Sequence, residues 1–176
     1  MQHIFASLAC AAVLSACATA SSRFTDAHAT AELQPTKGSS VTGSLMFEQR
    51  LDSVVVSGEV RGLTPNTEHG FHIHAKGDCS SGDGMSTGGH YNPFGRMHAA
   101  HGDAVHHTGD LPSLRADGAG VARIQFETSQ LTVGSGRGDD VVSLGLIVHR
   151  DPDDFKTQPT GNSGPRLACA VIARKY

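Results

Sequence analysis

The stretch Val41-Thr42-Gly43-Ser44-Leu45-Met46-Phe47, followed after a polar break by Val54-Val55-Val56-Ser57-Gly58-Glu59-Val60, decides the fold class. In both runs apolar or small residues fall at every second position: Val41, Gly43, Leu45 and Phe47, then Val54, Val56, Gly58 and Val60. Successive side chains of a strand point to opposite faces, so a period of two describes strands with one face in a core and one in water. Outward from there, Ala31 and Leu33 repeat the alternation upstream, and further strands are expected over Glu68 to His74, Val121 to Phe126, Val141 to His149 and Leu167 to Ala173. Lys37-Gly38-Ser39 and Gly62-Leu63-Thr64-Pro65-Asn66 supply turn chemistry between strands. No segment keeps a helical period, so the class is all-β and antiparallel, a sandwich or barrel.

A chain of 176 residues holds one domain comfortably and two poorly. A net charge of -3 with 18% charged residues leaves no basic surface for nucleic acid and no acidic tail, so the partner is small. Eleven histidines are many for this length, which directs attention to metals. Two long polar stretches, Ala75 to about Leu114 and Asp151 to Arg166, interrupt the strands. A compact domain tolerates such loops when something orders them, and they are where function concentrates.

The first twenty residues are apolar and lack Lys and Arg, too short for a transmembrane span and suited to the core of a signal segment. Leu14-Ser15-Ala16-Cys17 resembles a bacterial lipobox, in which the cysteine takes the lipid and becomes the first mature residue. The expected organisation is a lipoprotein-type signal peptide over 1–17, a flexible tether over 18–29 and the domain over 30–176, placing the protein in the periplasm or cell envelope on a lipid anchor. A cut after Ala16 or Ala20 would release a soluble form instead. Once that segment leaves, Cys79 and Cys169 are the only cysteines of the folded part, and export to an oxidising compartment favours their disulfide.

In Gly70-Phe71-His72-Ile73-His74, alternation puts Phe71 and Ile73 on the core face and His72 and His74 side by side on the other. Two imidazoles at i and i+2 of a strand can share one ion. Leu144, Leu146 and Val148 take one face of their strand, leaving His149 on the other as a third ligand. The first long loop adds His90, His98, His101, His106 and His107, with Asp110 three residues on, and imidazoles with one carboxylate are a zinc-type set.

Four segments resemble the signatures of copper–zinc superoxide dismutases, in order and spacing: Gly70-Phe71-His72-Ile73-His74, Gly89-His90-Tyr91-Asn92-Pro93, His107-Thr108-Gly109-Asp110-Leu111, and Gly161-Asn162-Ser163-Gly164-Pro165-Arg166-Leu167-Ala168-Cys169. The resemblance runs from about Ala31 to the C-terminus and implies a Greek-key, immunoglobulin-like β-sandwich or barrel with two long functional loops. It makes His72, His74, His90 and His149 ligands of one copper, and His90, His98, His107 and Asp110 ligands of one zinc, with His90 the bridge. Asp153 would join His72 to His98 and fix their tautomers. Arg166 would guide the superoxide anion, Thr160 narrow the channel and Lys156 steer from further away. The implied reaction turns superoxide into oxygen and hydrogen peroxide, with His90 carrying a proton. His101 and His106 match no ligand position and read as solvated loop residues.

Two departures from the family pattern, Ala170 after the second cysteine and Ser143-Leu144-Gly145 before His149, bear on packing or on whether the chain is a monomer or a homodimer. The competing reading is a non-catalytic periplasmic copper-binding or copper-delivery protein, which would be expected to lack Arg166 or a zinc ligand.

Overall fold

The structure is a computed structural model that describes residues 27–175; the expected signal segment, Cys17 and the tether up to residue 26 lie outside the described residues. Among the described residues ten strands follow one another: β1 (His28–Pro35), β2 (Thr42–Gln49), β3 (Val54–Arg61), β4 (Glu68–His69), β5 (Phe71–His74), β6 (Leu114–Arg115), β7 (Ala122–Thr128), β8 (Gly145–His149), β9 (Arg166–Val171) and β10 (Ala173–Lys175). The only helical element among the described residues is one short 3-10 turn at Met85–Thr87. β1 therefore takes in His28 and Ala29, the last two residues of the expected tether, and Ala29 is fully buried.

Every strand pairing is antiparallel. The main sheet runs β5-β8-β9-β1-β2-β3-β7, with β10 also paired to β1 and with β4 and β6 forming a separate two-stranded ribbon. It curls on itself because β1 serves two neighbourhoods. Its first residues pair with β2 and β10, and its last, Gln34 and Pro35, pair with Cys169 and Ala168 of β9. β3 lies beside β7 although β4, β5 and β6 come between them in the chain, the long return of a Greek key.

The period of two is visible in the burial. Ala31 and Leu33 of β1, Leu45 and Phe47 of β2, Val54, Val56 and Val60 of β3, and Phe71 and Ile73 of β5 all enter one core. Leu146 and Val148 of β8 and Ala168 and Ala170 of β9 close it from the other side. Gly58 interrupts the run in β3 at φ 147, where a Cβ would come within 2.9 Å of Leu45 Cα; glycine lets the two backbones approach at the bend.

Three expected strands are broken or shorter than their apolar patterns; Leu167 to Ala173 is split at Ile172, whose N–H donates to Leu144 O at 2.9 Å. Gly70 separates β4 from β5, its N–H donating to Asp151 O rather than to a strand partner. Val141 to Leu144 is not strand: Leu144 N–H turns back to Val141 O, and Ser143 takes φ 68, a left-handed conformation that no ladder accommodates. The Cys79–Cys169 disulfide is formed and ties the first long loop to β9.

Candidate metal centre

β5 provides the floor of the site. Phe71 and Ile73 point into the core as expected, but the opposite face is not wet, since His72 and His74 are both fully buried. The two long loops cover them. The first loop lies along the outer edge of β5: Ile73 N–H donates to Gly109 O at 2.9 Å, Tyr91 N–H to Ile73 O at 2.8 Å and Leu111 N–H to Phe71 O at 3.3 Å. These bonds cap an otherwise open strand edge and deliver His90 and Asp110 beside His72 and His74. β8 pairs with β5 on the other edge and brings His149.

Two groups of side chains result. The ligand atoms of His72, His74, His90 and His149 lie within 4.8 Å of one another, as do those of His90, His98, His107 and Asp110; all seven residues are buried, and His90 belongs to both. Hydrogen bonds set each tautomer. His72 directs Nε2 to Asp153 Oδ2 at 2.7 Å, which leaves Nδ1 bare; His74 and His149 donate from Nδ1 to Gly88 O at 2.8 Å and Gly164 O at 3.1 Å, which leaves their Nε2 atoms bare. Those two Nε2 atoms stand 3.4 Å apart. Three imidazole Nδ1 atoms converge on Asp110 Oδ1, at 2.9 Å from His90, 3.0 Å from His98 and 3.4 Å from His107.

Buried nitrogens without a partner show what these groups lack. His72 Nδ1, His90 Nε2 and His107 Nδ1 have no hydrogen bond at all, although buried polar atoms are normally paired. A cation at each centre satisfies them, so the donor sets fit metal ions, imidazole-rich in the first case and imidazole with carboxylate in the second.

Electrostatics agree. Burial drives His72 down to about 4 against the pull of Asp153, and drives His74 and His149 well below the ordinary imidazole range, so these three present neutral lone pairs. His98 differs: burial opposes its charge, but hydrogen bonds to Asp110 and Asp153 push it up to about 9. Burial would raise both aspartates, yet hydrogen bonds from His90 and His98 hold Asp110, and from His72 and His98 hold Asp153, far below the carboxylate range.

Asp153 spans the two groups, with Oδ2 on His72 and Oδ1 2.9 Å from His98 Nε2. Gly161 makes room for that bridge, because a Cβ there would overlap Asp153 Oδ1 and come within 2.5 Å of His98 Nε2. Arg166, at the start of β9, donates to the carbonyls of Gly84 and Gly88 (2.6 Å) and to Thr87 Oγ1 at 2.8 Å. Gly88 O is also the acceptor of His74, so a single peptide group joins the arginine to the first imidazole group. Thr160 is half-buried and Lys156 exposed in the second loop, and neither hydrogen-bonds to Arg166.

Some participants escaped the sequence reading. His69, fully buried, donates from Nδ1 to His149 O at 2.9 Å and holds the backbone of that member of the first group; its place directly before Gly70 was the available signal. Gln158 clasps His98 from the other loop, accepting from its N–H and donating to its carbonyl, both at 2.8 Å. One expectation is overturned: His106 is not a solvated loop residue but completely buried, and His101 is half-buried.

Residues 41–172 match the family described as copper/zinc superoxide dismutase (SODC). Among curated relatives, Superoxide dismutase [Cu-Zn] 2 of Aquifex aeolicus is 36% identical over 84% of this chain and 87% of its own length. Superoxide dismutase [Cu-Zn] 1 of the same organism is 34% identical over 81% and 85%. Among solved structures, the clock protein EA4 superposes with a TM-score of 0.75 at 33% identity, covering 83% of this chain and 93% of that one. A double mutant of a SOD-like protein from Bacillus subtilis superposes at 0.74 and 30%, covering 82% and 96%.

Proposed function

Because the chain belongs to the copper/zinc superoxide dismutase family, we propose that it dismutes superoxide, with copper held by His72, His74, His90 and His149 and zinc by His90, His98, His107 and Asp110. The observation that carries this reading is the pair of buried donor groups sharing His90, each with bare nitrogens aimed inward. A bound copper supplies one-electron redox cycling, which converts two superoxide anions and two protons into one dioxygen and one hydrogen peroxide; a bound zinc closes a four-ligand structural site.

The chain's own residues do the rest. Arg166 keeps its guanidinium charged at every accessible pH, although burial lowers its pKa, and it is held by three loop acceptors at the edge of the first group. It docks the anion there. With a net charge of -3 the whole molecule repels superoxide, so attraction is local to this guanidinium, with the exposed Lys156 ahead of it and Thr160 at the channel wall. His90 is the residue shared by both groups, its Nε2 has no protein partner, and that nitrogen would hold a proton for the second half of the reaction. Asp153 takes the Nε2 side of His72 and of His98, which reserves the Nδ1 side of each ring for a metal.

Pulse radiolysis of the copper- and zinc-loaded protein beside Arg166→Ala tests this reading. A fall of roughly 10-fold or more at low salt, shrinking as salt is added, is expected of a local guide for an anion; equal rates refute the guide, and no turnover in the loaded parent refutes the dismutase.

The proposal extends to location: the Leu14-Ser15-Ala16-Cys17 segment supports a lipid on Cys17 and a station in the cell envelope, which the enzyme protects from superoxide. Cys17→Ser is expected to move the protein from the membrane to the soluble fraction, and undiminished membrane retention refutes the anchor.

A further inference from the structure

Four imidazole nitrogens among the described residues are buried without a hydrogen-bond partner. Three, on His72, His90 and His107, belong to the two donor groups; the fourth, His106 Nε2, belongs to neither. The orphaned lone pairs that mark the two metal centres therefore mark one more position.

His106 is fully buried and its Nδ1 lies 2.6 Å from His107 O. A carbonyl only accepts, so the proton sits on Nδ1 and Nε2 carries a bare lone pair. His101 repeats the arrangement, with Nδ1 2.9 Å from Asp110 O and Nε2 left over. The two rings stand 5.3 Å apart, centroid to centroid. Within the zinc-type group the corresponding separations are 5.2 Å for His90 and His98, 5.5 Å for His98 and His107, and 5.6 Å for His90 and His107. The His101–His106 pair is thus spaced as two ligands of one ion are spaced in the same loop.

The surroundings complete the picture. The Phe126 and His101 rings pack steeply tilted, 5.4 Å between centroids, so the orientation of His101 is set by packing as well as by its hydrogen bond. His101 is half-buried, which opens the pair to solvent on its own side. Asp103, two residues after His101 in the loop, is engaged with the Ala100 N–H.

We propose that His101 and His106 form a third metal site, a two-imidazole site for a Zn2+-class ion whose remaining positions are filled by water. Zinc accepts neutral imidazole and tolerates water as an outer ligand. Both rings hang from main-chain carbonyls of the zinc-type group, Asp110 O and His107 O, so an ion bound here braces the backbone that carries two of that group's ligands. With two protein ligands instead of four, the site is weaker and exchanges faster than the closed centre beside it. It stands on its own geometry and does not depend on turnover of superoxide.

The test is equilibrium dialysis of the isolated, metal-loaded protein against excess Zn2+, with metal per chain counted afterwards by mass spectrometry, for the parent and for His101→Ala. One ion fewer per chain is expected in the variant. Equal metal content in the two proteins overturns the site, whether the extra ion is absent from both or bound elsewhere in both. Crystals of the parent soaked in Zn2+ provide a check that needs no variant: anomalous density between the His101 and His106 rings is expected, and a water molecule alone there overturns the proposal.

Discussion

Replacing Cys79 and Cys169 together by serine removes a cross-link between residues 90 apart in the chain. Closing a loop of that length takes from the unfolded state an entropy of about 15 cal/mol/K on the chain-entropy relation, or about 4.6 kcal/mol at 25 °C. The native state should change little. The loop that carries Cys79 stays docked through Lys37 N–H on Gly82 O and through Arg166 on Gly84 O, Thr87 Oγ1 and Gly88 O, so the loss falls on the unfolded side. For a domain of about 150 residues the unfolding entropy near the midpoint is about 0.3 kcal/mol/K, so Tm is expected to drop by about 15 °C. The assay is urea unfolding of metal-free parent and variant, fitted with a common slope, with a calorimetric scan beside it. A loss below ~1.5 kcal/mol would refute the reasoning, since the unfolded chain would then already keep the two ends together.

Asp153→Asn leaves an amide where His72 and His98 both point Nε2, so one ring faces an NH2 group instead of an acceptor; metal retention against a chelator should weaken by roughly 10- to 100-fold, and unchanged retention would show that the bridge does not orient its ligands. In the metal-free protein His98 should titrate at about 9, measured from its imidazole NMR signals, and a midpoint at or below 6.5 would contradict the two-aspartate clamp. Because that value lies above the ordinary 6.5, the stabilisation is complete below 6.5 and is lost as pH rises through about 9. Metal-free stability should accordingly fall across that interval, while zinc, which needs the bare ring, should release a proton from His98 on binding below about 9 and none well above it.

Where one side chain in two meets the core, alternation located the strands: β2 and β3 begin and end within two residues of their patterns. It overran where backbone rather than hydrophobicity decides. Val141 to Leu144 is as apolar as a strand, but only the left-handed Ser143 and the turn at Leu144 reveal that the ladder starts at Gly145. The seven residues of the two donor groups were legible through the family-like segments, because residue type and order are local facts. The closeness of His90 to both groups depends on pairing across β5, which no local pattern encodes. His69, Gln158 and the burial of His106 were out of reach for the same reason. Each owes its role to a main-chain atom far along the chain or to a loop lying over it, and composition carries no trace of either.

The double service of β1 has a consequence for the order in which the molecule can assemble. The first strand of the domain pairs with β9 and β10, the last two, so the curl cannot close until nearly the whole chain is present. β5, which carries two members of the first donor group, likewise waits for β8, and Asp153 and Arg166 come later still. The first donor group is therefore completed only after the later strands have formed, whereas the four residues of the second, His90 to Asp110, all lie in one loop and come together earlier in the chain.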